Sequence, residues 1–206
     1  MSLTLILIAI TVAVSMAGWR NPQLQYRLML NPFAVAKNKE FFRMITSGFV
    51  HNSWTHLGFN MFTFFFFGRN IEYLFANIYG SAGSFYFLAL YLLAIIVSDI
   101  PSLIKHHDHP HYNSLGASGG VSAIVFCSIM FFPLDKIYLF AIIGIPGFIL
   151  GILYIIYSYY EGKRMADNIN HNAHLIGALF GVAFSIFVKP TVIISFVEQV
   201  LTYQFF

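Results

Sequence analysis

Gly116-Ala117-Ser118-Gly119-Gly120-Val121-Ser122-Ala123-Ile124-Val125-Phe126-Cys127-Ser128-Ile129-Met130-Phe131-Phe132 is an uncharged run that opens on a serine set between glycines. A membrane-spanning helix needs about 20 apolar residues, with a range of roughly 17 to 25. The run is therefore either such a helix or the centre of a soluble core. Composition decides between them. Of 206 residues, 58% are hydrophobic and 9% charged, against about 25% charged in a soluble domain. So short a chain cannot hide that much apolar surface from water, so its solvent is lipid. Its size suits one compact bundle over 1–206 rather than two domains.

Working outward from this run, hydropathy predicts six spanning segments: Leu3–Ala17, Thr55–Phe67, Gly83–Val97, Leu115–Phe132, Ile137–Tyr157 and Ala173–Val188. The first, second and sixth are short and need flanking residues to complete a span. No strand-like alternation runs far enough for a barrel, so the expected fold is all-α, a polytopic bundle of six transmembrane helices. Ser2 to Ala17 lacks a basic leading region and reads as a retained segment, not a cleaved signal.

The connections carry the polarity. Residues 18–50 mix Trp19, Tyr26 and Phe33 with Arg20, Arg27, Lys37 and Lys39, a composition that favours the headgroup region. Arg69 and Glu72 mark a polar turn after the second segment, and Asp99 to Asn113 a polar loop containing His106, His107, His109 and His111. Pro133 to Lys136 is a tight turn. Gly144-Ile145-Pro146-Gly147 should kink the fifth segment. The tail 191–206 is expected to rest on the membrane surface.

If the segments alternate in direction, the second, fourth and sixth all begin at one membrane face. His56 and Asn60 stand near the start of the second, Ser118 of the fourth and His174 of the sixth, so all occupy one leaflet. Ionisable side chains inside a membrane are costly and usually functional. Gly177 and Gly181, one turn apart, let two helices touch closely; Gly116, Gly119 and Gly120 supply the matching small surface. Such contact would bring His174 near Ser118 as general base to nucleophile. His56 and Asn60, at i and i+4, share a helix face. With the Ser118 amide they could form an oxyanion hole. No carboxylate within a span is available to complete a triad.

These residues resemble the rhomboid family of intramembrane serine proteases. Gly116-Ala117-Ser118-Gly119 resembles its GxSG motif, Ala173-His174 through Gly177 and Gly181 its AHxxGxxxG, and His51…His56…Asn60 its HxxxxHxxxN. Phe42-Arg43 is similar to a Trp-Arg motif with an aromatic exchanged. The resemblance implies a Ser118–His174 dyad, an oxyanion hole of His56, Asn60 and the Ser118 amide, and supporting roles for His51, Gly116, Gly119, Gly177, Gly181 and Arg43. It also implies no cofactor and a cytoplasmic N-terminus. The substrate would be a single-pass transmembrane protein cut near the outer end of its helix. Gly144 to Gly147 and the loop from Tyr159 to His171 match the family's gate and cap. Two features depart from the pattern. Ser122 stands where many members carry a ring stacked on the catalytic histidine. Positive charge (Arg20, Arg27, Lys37, Lys39, Arg43) falls in the loop that the family places outside, opposite to the usual bias.

Other functions find less in the sequence. A net charge of +3 with scattered basic residues gives no nucleic-acid surface. Lone Cys127 can form no intrachain disulfide. The histidine run could belong to a metal-binding membrane protein, but adjacent histidines beside Pro110 have no fixed geometry, and HExxH is absent; no metal is expected. A catalytically silent relative that binds membrane helices is the nearer alternative. A short chain of this kind fits an integral protein of a bacterial cytoplasmic (inner) membrane, with membrane lipids as its surroundings.

Overall fold

Each of the six apolar segments contains a helix, but several of the helix bounds differ from the hydropathy reading. The computed structural model describes residues 2–139, 142–164 and 169–204. In chain order the elements are α1 (Leu3–Arg20), α2 (Pro22–Leu28), α3 (Pro32–Asn38), α4 (Arg43–Thr46), α5 (Trp54–Tyr79), α6 (Gly83–His106), α7 (Ser118–Phe131), β1 (Lys136–Leu139), β2 (Ile143–Pro146), α8 (Gly147–Arg164), α9 (His171–Val188) and α10 (Val192–Leu201).

Among the described residues, three stretches are long and apolar enough to cross a membrane: Leu3–Arg20, Trp54–His106 and His171–Val188. The middle one is α5 and α6, packed side by side and joined by a 3₁₀ turn at Gly80–Ala82. The 14 residues of α7 span only about 21 Å, less than a hydrocarbon core of roughly 30 Å. Helix α8 carries Glu161, Lys163 and Arg164 in its last turns.

Arg69 and Glu72 do not form a turn. They lie within α5, a helix of 26 residues, where each has a local use that makes breaking the helix unnecessary. Arg69 lies over the Phe65 ring. The Glu72 carboxylate accepts from the Leu3 and Thr4 backbone N–H groups and from the Ser2 and Thr4 hydroxyls at 2.6 to 3.0 Å. These are the unsatisfied donors that every helix start presents, so α5 caps α1. Glu72 is 18 positions beyond Trp54, about 27 Å along the axis, so the start of α1 lies at the opposite end of α5 from His56.

Similarly, α6 does not end at Val97. It continues through Asp99 and Pro101 to His106. Its polar residues Ser98, Asp99 and Ser102 are buried, facing protein instead of ending the helix. The fifth segment needs the largest correction. Its first part is an antiparallel β-hairpin, with Lys136 paired to Pro146 and Leu139 to Ile143, so the expected all-α fold carries two short strands. Helix begins only at Gly147, after Pro146, whose missing N–H suits a strand end better than a helix interior. The expected kink at Gly144 to Gly147 is thus a strand-to-helix junction.

The expected loop 18–50 holds α2, α3 and α4, while α1 runs on to Arg20. Asn21 and Asn31 cap α2 and α3, each followed by a proline at the first helical position, where proline is well tolerated. The tail contains α10, with Ile193, Ile194, Val197 and Leu201 exposed. Phe205 and Phe206 of that tail, and 165–168 of the expected cap, lie outside the described residues.

Helix α7 is the centre. It is apolar all round and nearly all of it is buried, as such a helix must be inside a bundle. It packs on α5, α6 and α9 over a core that includes Phe64, Phe87, Tyr91 and Ile124.

Candidate functional site

The site is built around the turn that starts α7. Gly116 has φ +121°, a conformation that only glycine adopts readily. A Cβ there would lie 2.7 Å from His56 Cε1, so the imidazole packs directly on the bare backbone. The Gly116 N–H donates to the Ser47 carbonyl at 2.9 Å, and the Ala117 N–H donates to His51 Nε2 at 3.3 Å. The first intrahelical bond is Val121 N–H to the Ala117 carbonyl. The amides of Ser118, Gly119 and Gly120 therefore have no intrahelical acceptor, and this end of a helix favours negative charge.

Helices α7 and α9 meet backbone to backbone. A Cβ on Gly177 would strike the Gly119 carbonyl oxygen, and one on Gly181 that of Ala123. Both pairs differ by the same 58 positions, so the helices run parallel. By that offset residue 176 is level with Ser118, and His174 lies two residues, about 3 Å, nearer the helix start. Ser118 and His174 are half-buried, while Ala117, Gly119 and Ala173 beside them are buried. From α6, Ser98 crowds Gly119, leaving no room for a side chain there.

Two residues that the sequence reading missed lie against His174. Tyr154 of α8 lies over its ring with centroids 6.4 Å apart and planes 25° apart. The Tyr154 hydroxyl is 2.7 Å from Ser122 Oγ. Asn170 caps α9 through the Ala173 N–H at 3.1 Å and donates to Ser102 Oγ at 2.9 Å. Asn170, placed before the apolar run, could have been found as a capping residue. Nothing local in the sequence marks Tyr154 among the tyrosines of α8.

His56 Nδ1 is 3.0 Å from Asn52 Oδ1. With that carboxamide oxygen as acceptor the proton is on Nδ1, so Nε2 can donate only in the imidazolium form. Asn60 is buried, and one of its amide protons goes to the His56 carbonyl at 2.9 Å. Its remaining amide proton is the one that could serve an oxyanion.

His51 is fully buried. Because Nε2 accepts from Ala117, Nδ1 carries the proton and donates to Ser15 Oγ at 3.1 Å; Ser15 passes its own proton to the Phe49 carbonyl. Burial, with the neighbouring His56 adding, pushes the His51 pKa down to about 3. Arg43 is also buried, donating to the carbonyls of Tyr26 and Met29 at 2.8 and 3.0 Å and to Glu40 at 2.6 Å. It anchors α2 to α4. Asp99 accepts from the Ser47 hydroxyl at 3.1 Å, bracing the residue that holds Gly116.

The histidine run is occupied with local contacts. His106 stacks on Tyr112 at 3.8 Å, and Asp108 pairs with Lys37 and His107 at 2.9 and 2.8 Å. Among the described residues no three His, Cys, Asp or Glu side chains gather as a metal site.

A helical membrane protein with a half-buried serine and histidine on two touching parallel helices defines a narrow class. The profile of the Rhomboid domain matches residues 38–191, and the chain belongs to the rhomboid family. It is similar to RHOMBOID-like protein 12, mitochondrial, of Arabidopsis thaliana, at 30% identity over 179 residues, covering 78% of this chain and 51% of that protein. It is also similar to Rhomboid protein 1, mitochondrial, of Saccharomyces cerevisiae, at 26% identity over 183 residues, covering 84% of this chain and 48% of that one. The chain spans about half the length of these curated relatives. Both carry mitochondrial names, so they lend no support to the bacterial membrane that its shortness suggested.

Proposed function

We propose that the chain is an intramembrane serine endopeptidase. Ser118 Oγ attacks the scissile carbonyl while His174 takes its proton. The C–N bond breaks, the leaving amine receives that proton, and an acyl ester remains on Ser118. Water, deprotonated by His174, then attacks the ester; the acyl C–O bond breaks, the acid product leaves and His174 returns the proton to Ser118 Oγ. The Ser118 amide and the second Asn60 proton hold the oxyanion; His56 joins them as imidazolium or once Asn52 has turned. No cofactor takes part.

The single observation that carries this reading is the parallel glycine contact that brings Ser118 and His174 nearly level. It stands with six spans, counting α7 and α8, and with α2 to α4 and α10 lying in the membrane surface. The substrate is the transmembrane segment of a single-pass protein. The N-terminus is cytoplasmic. The opposing positive charge is weakened because Arg43 is neutralised by Glu40 and Lys37 by Asp108.

Cleavage of a single-span peptide bearing a fluorophore and a quencher, reconstituted in lipid with the protein, tests the reading. Ser118→Ala and His174→Ala should each abolish cleavage, and a chelator should leave it unchanged. Cleavage persisting in both variants removes the dyad. A silent wild type over several substrates favours a helix-binding relative without activity.

A further inference from the structure

The geometry points to Tyr154 as the residue that positions His174, an inference that rests on the Ser118–His174 reading. A general base must present one ring nitrogen to the nucleophile, and a displacement of about 1 Å costs on the order of 10²-fold in rate. The His174 ring lies under the tyrosine of a third helix, with planes 25° apart.

That tyrosine is itself fixed at its far end. Its hydroxyl meets Ser122 at 2.7 Å, and Ser122 is one turn after Ser118 on the same face of α7. Tyr154 thus bridges the nucleophile's helix and the base's helix, with its ring over one and its hydroxyl on the other. A larger side chain at 122 would fill the space that the hydroxyl occupies. The short serine and the tyrosine therefore form one unit, and the position of α8 sets the orientation of the base. His171 borders His174 from the same helix, with centroids 5.8 Å apart and planes 79° apart.

The test compares Tyr154→Leu, Tyr154→Phe and the exchange Ser122→Tyr with Tyr154→Ser, using the reconstituted peptide assay. Tyr154→Leu should lower kcat by about 10- to 100-fold at unchanged KM. Tyr154→Phe keeps the ring and should stay within about 10-fold of wild type. The exchange should recover most of the loss by returning a ring from α7. Ring-proton resonances of His174, assigned with His174→Asn in ¹³C-histidine protein, should lie upfield in wild type and move downfield in Tyr154→Leu. A Tyr154→Leu variant with wild-type kcat overturns the inference. So do losses of equal size in the Leu and Phe variants with His174 resonances unmoved. If Tyr154→Leu fails to fold, the Phe variant and the exchange decide. A wild type that never cleaves, but whose His174 resonances respond to Tyr154→Leu, refutes the endopeptidase reading and leaves the positioning contact standing.

Discussion

Substituting Gly177 by alanine should separate α7 from α9, and the structure fixes how far. The added methyl would meet the Gly119 carbonyl oxygen in a clash, with the carbonyl carbon at 2.9 Å and Cα at 3.0 Å. Comfortable carbon–carbon contact is roughly 3.5 to 4.0 Å, so the two backbones must part by about 0.5 to 1 Å. The obstructing atoms are backbone and no rotamer can relieve them. Overpacking of this kind costs about 1 to 3 kcal/mol. Gly177 is one turn after His174, so the displacement also moves imidazole from hydroxyl and should lower kcat by about 10²-fold. Gly58 is the control: a Cβ there meets nothing within 4 Å, so Gly58→Ala should stabilise α5 by about 1 kcal/mol. Thermal unfolding in detergent and the cleavage assay read both effects. A Gly177→Ala protein as stable and active as wild type would refute the proposed helix contact and the alignment built on it.

The His51 imidazole has its pKa lowered from 6.5 to about 3, so the unfolded chain takes up this proton before the folded one does. Stability is then full above about pH 6.5 and falls toward pH 3, by up to ~1.4 kcal/mol per unit. Unfolding midpoints should drop between neutral and mildly acid buffer, and His51→Asn should flatten that slope. Gly116→Ala forces a side chain into φ +121° and onto the His56 ring; it should cost about 1 to 3 kcal/mol and abolish cleavage, both measurable on purified protein. Asp99→Leu removes the acceptor of the Ser47 hydroxyl and should lower stability by about 1 to 3 kcal/mol, whereas Asp99→Asn, which keeps an acceptor, should lower it less in the same melt. A reporter enzyme fused at the C-terminus should be active only in the cytoplasm, or in the corresponding compartment of an organelle; activity on the other side reverses the orientation.

The apolar runs, their approximate centres and the grouping of His56, Asn60, Ser118 and His174 at one end of the bundle could all be read from residue order. Burial of apolar surface in lipid and the length of a span are properties of local composition. The same is true of the small residues at Gly177 and Gly181, whose spacing alone puts them on one face. Helix ends were less legible, because Arg69, Glu72 and Asp99 look like loop residues until the partners that satisfy them are known. Those of Glu72 and Asp99 are 52 to 70 positions away in the chain, while Arg69 lies over Phe65 of its own helix. The β-hairpin at Lys136 to Pro146 was hidden for a related reason: an apolar run of that length suits strand or helix, and pairing between its two halves decided.

Tertiary structure alone assigned Tyr154 to His174 and Asn170 to Ser102. It also set the tautomer of His51 through Ser15 and Ala117. Sequence fixes which side chains face along one helix, where distance follows from a rise per residue. Which tyrosine of α8 reaches an imidazole on α9 depends on how two rigid rods cross, and that is set by backbone contacts such as Gly177 on Gly119, summed over the whole bundle.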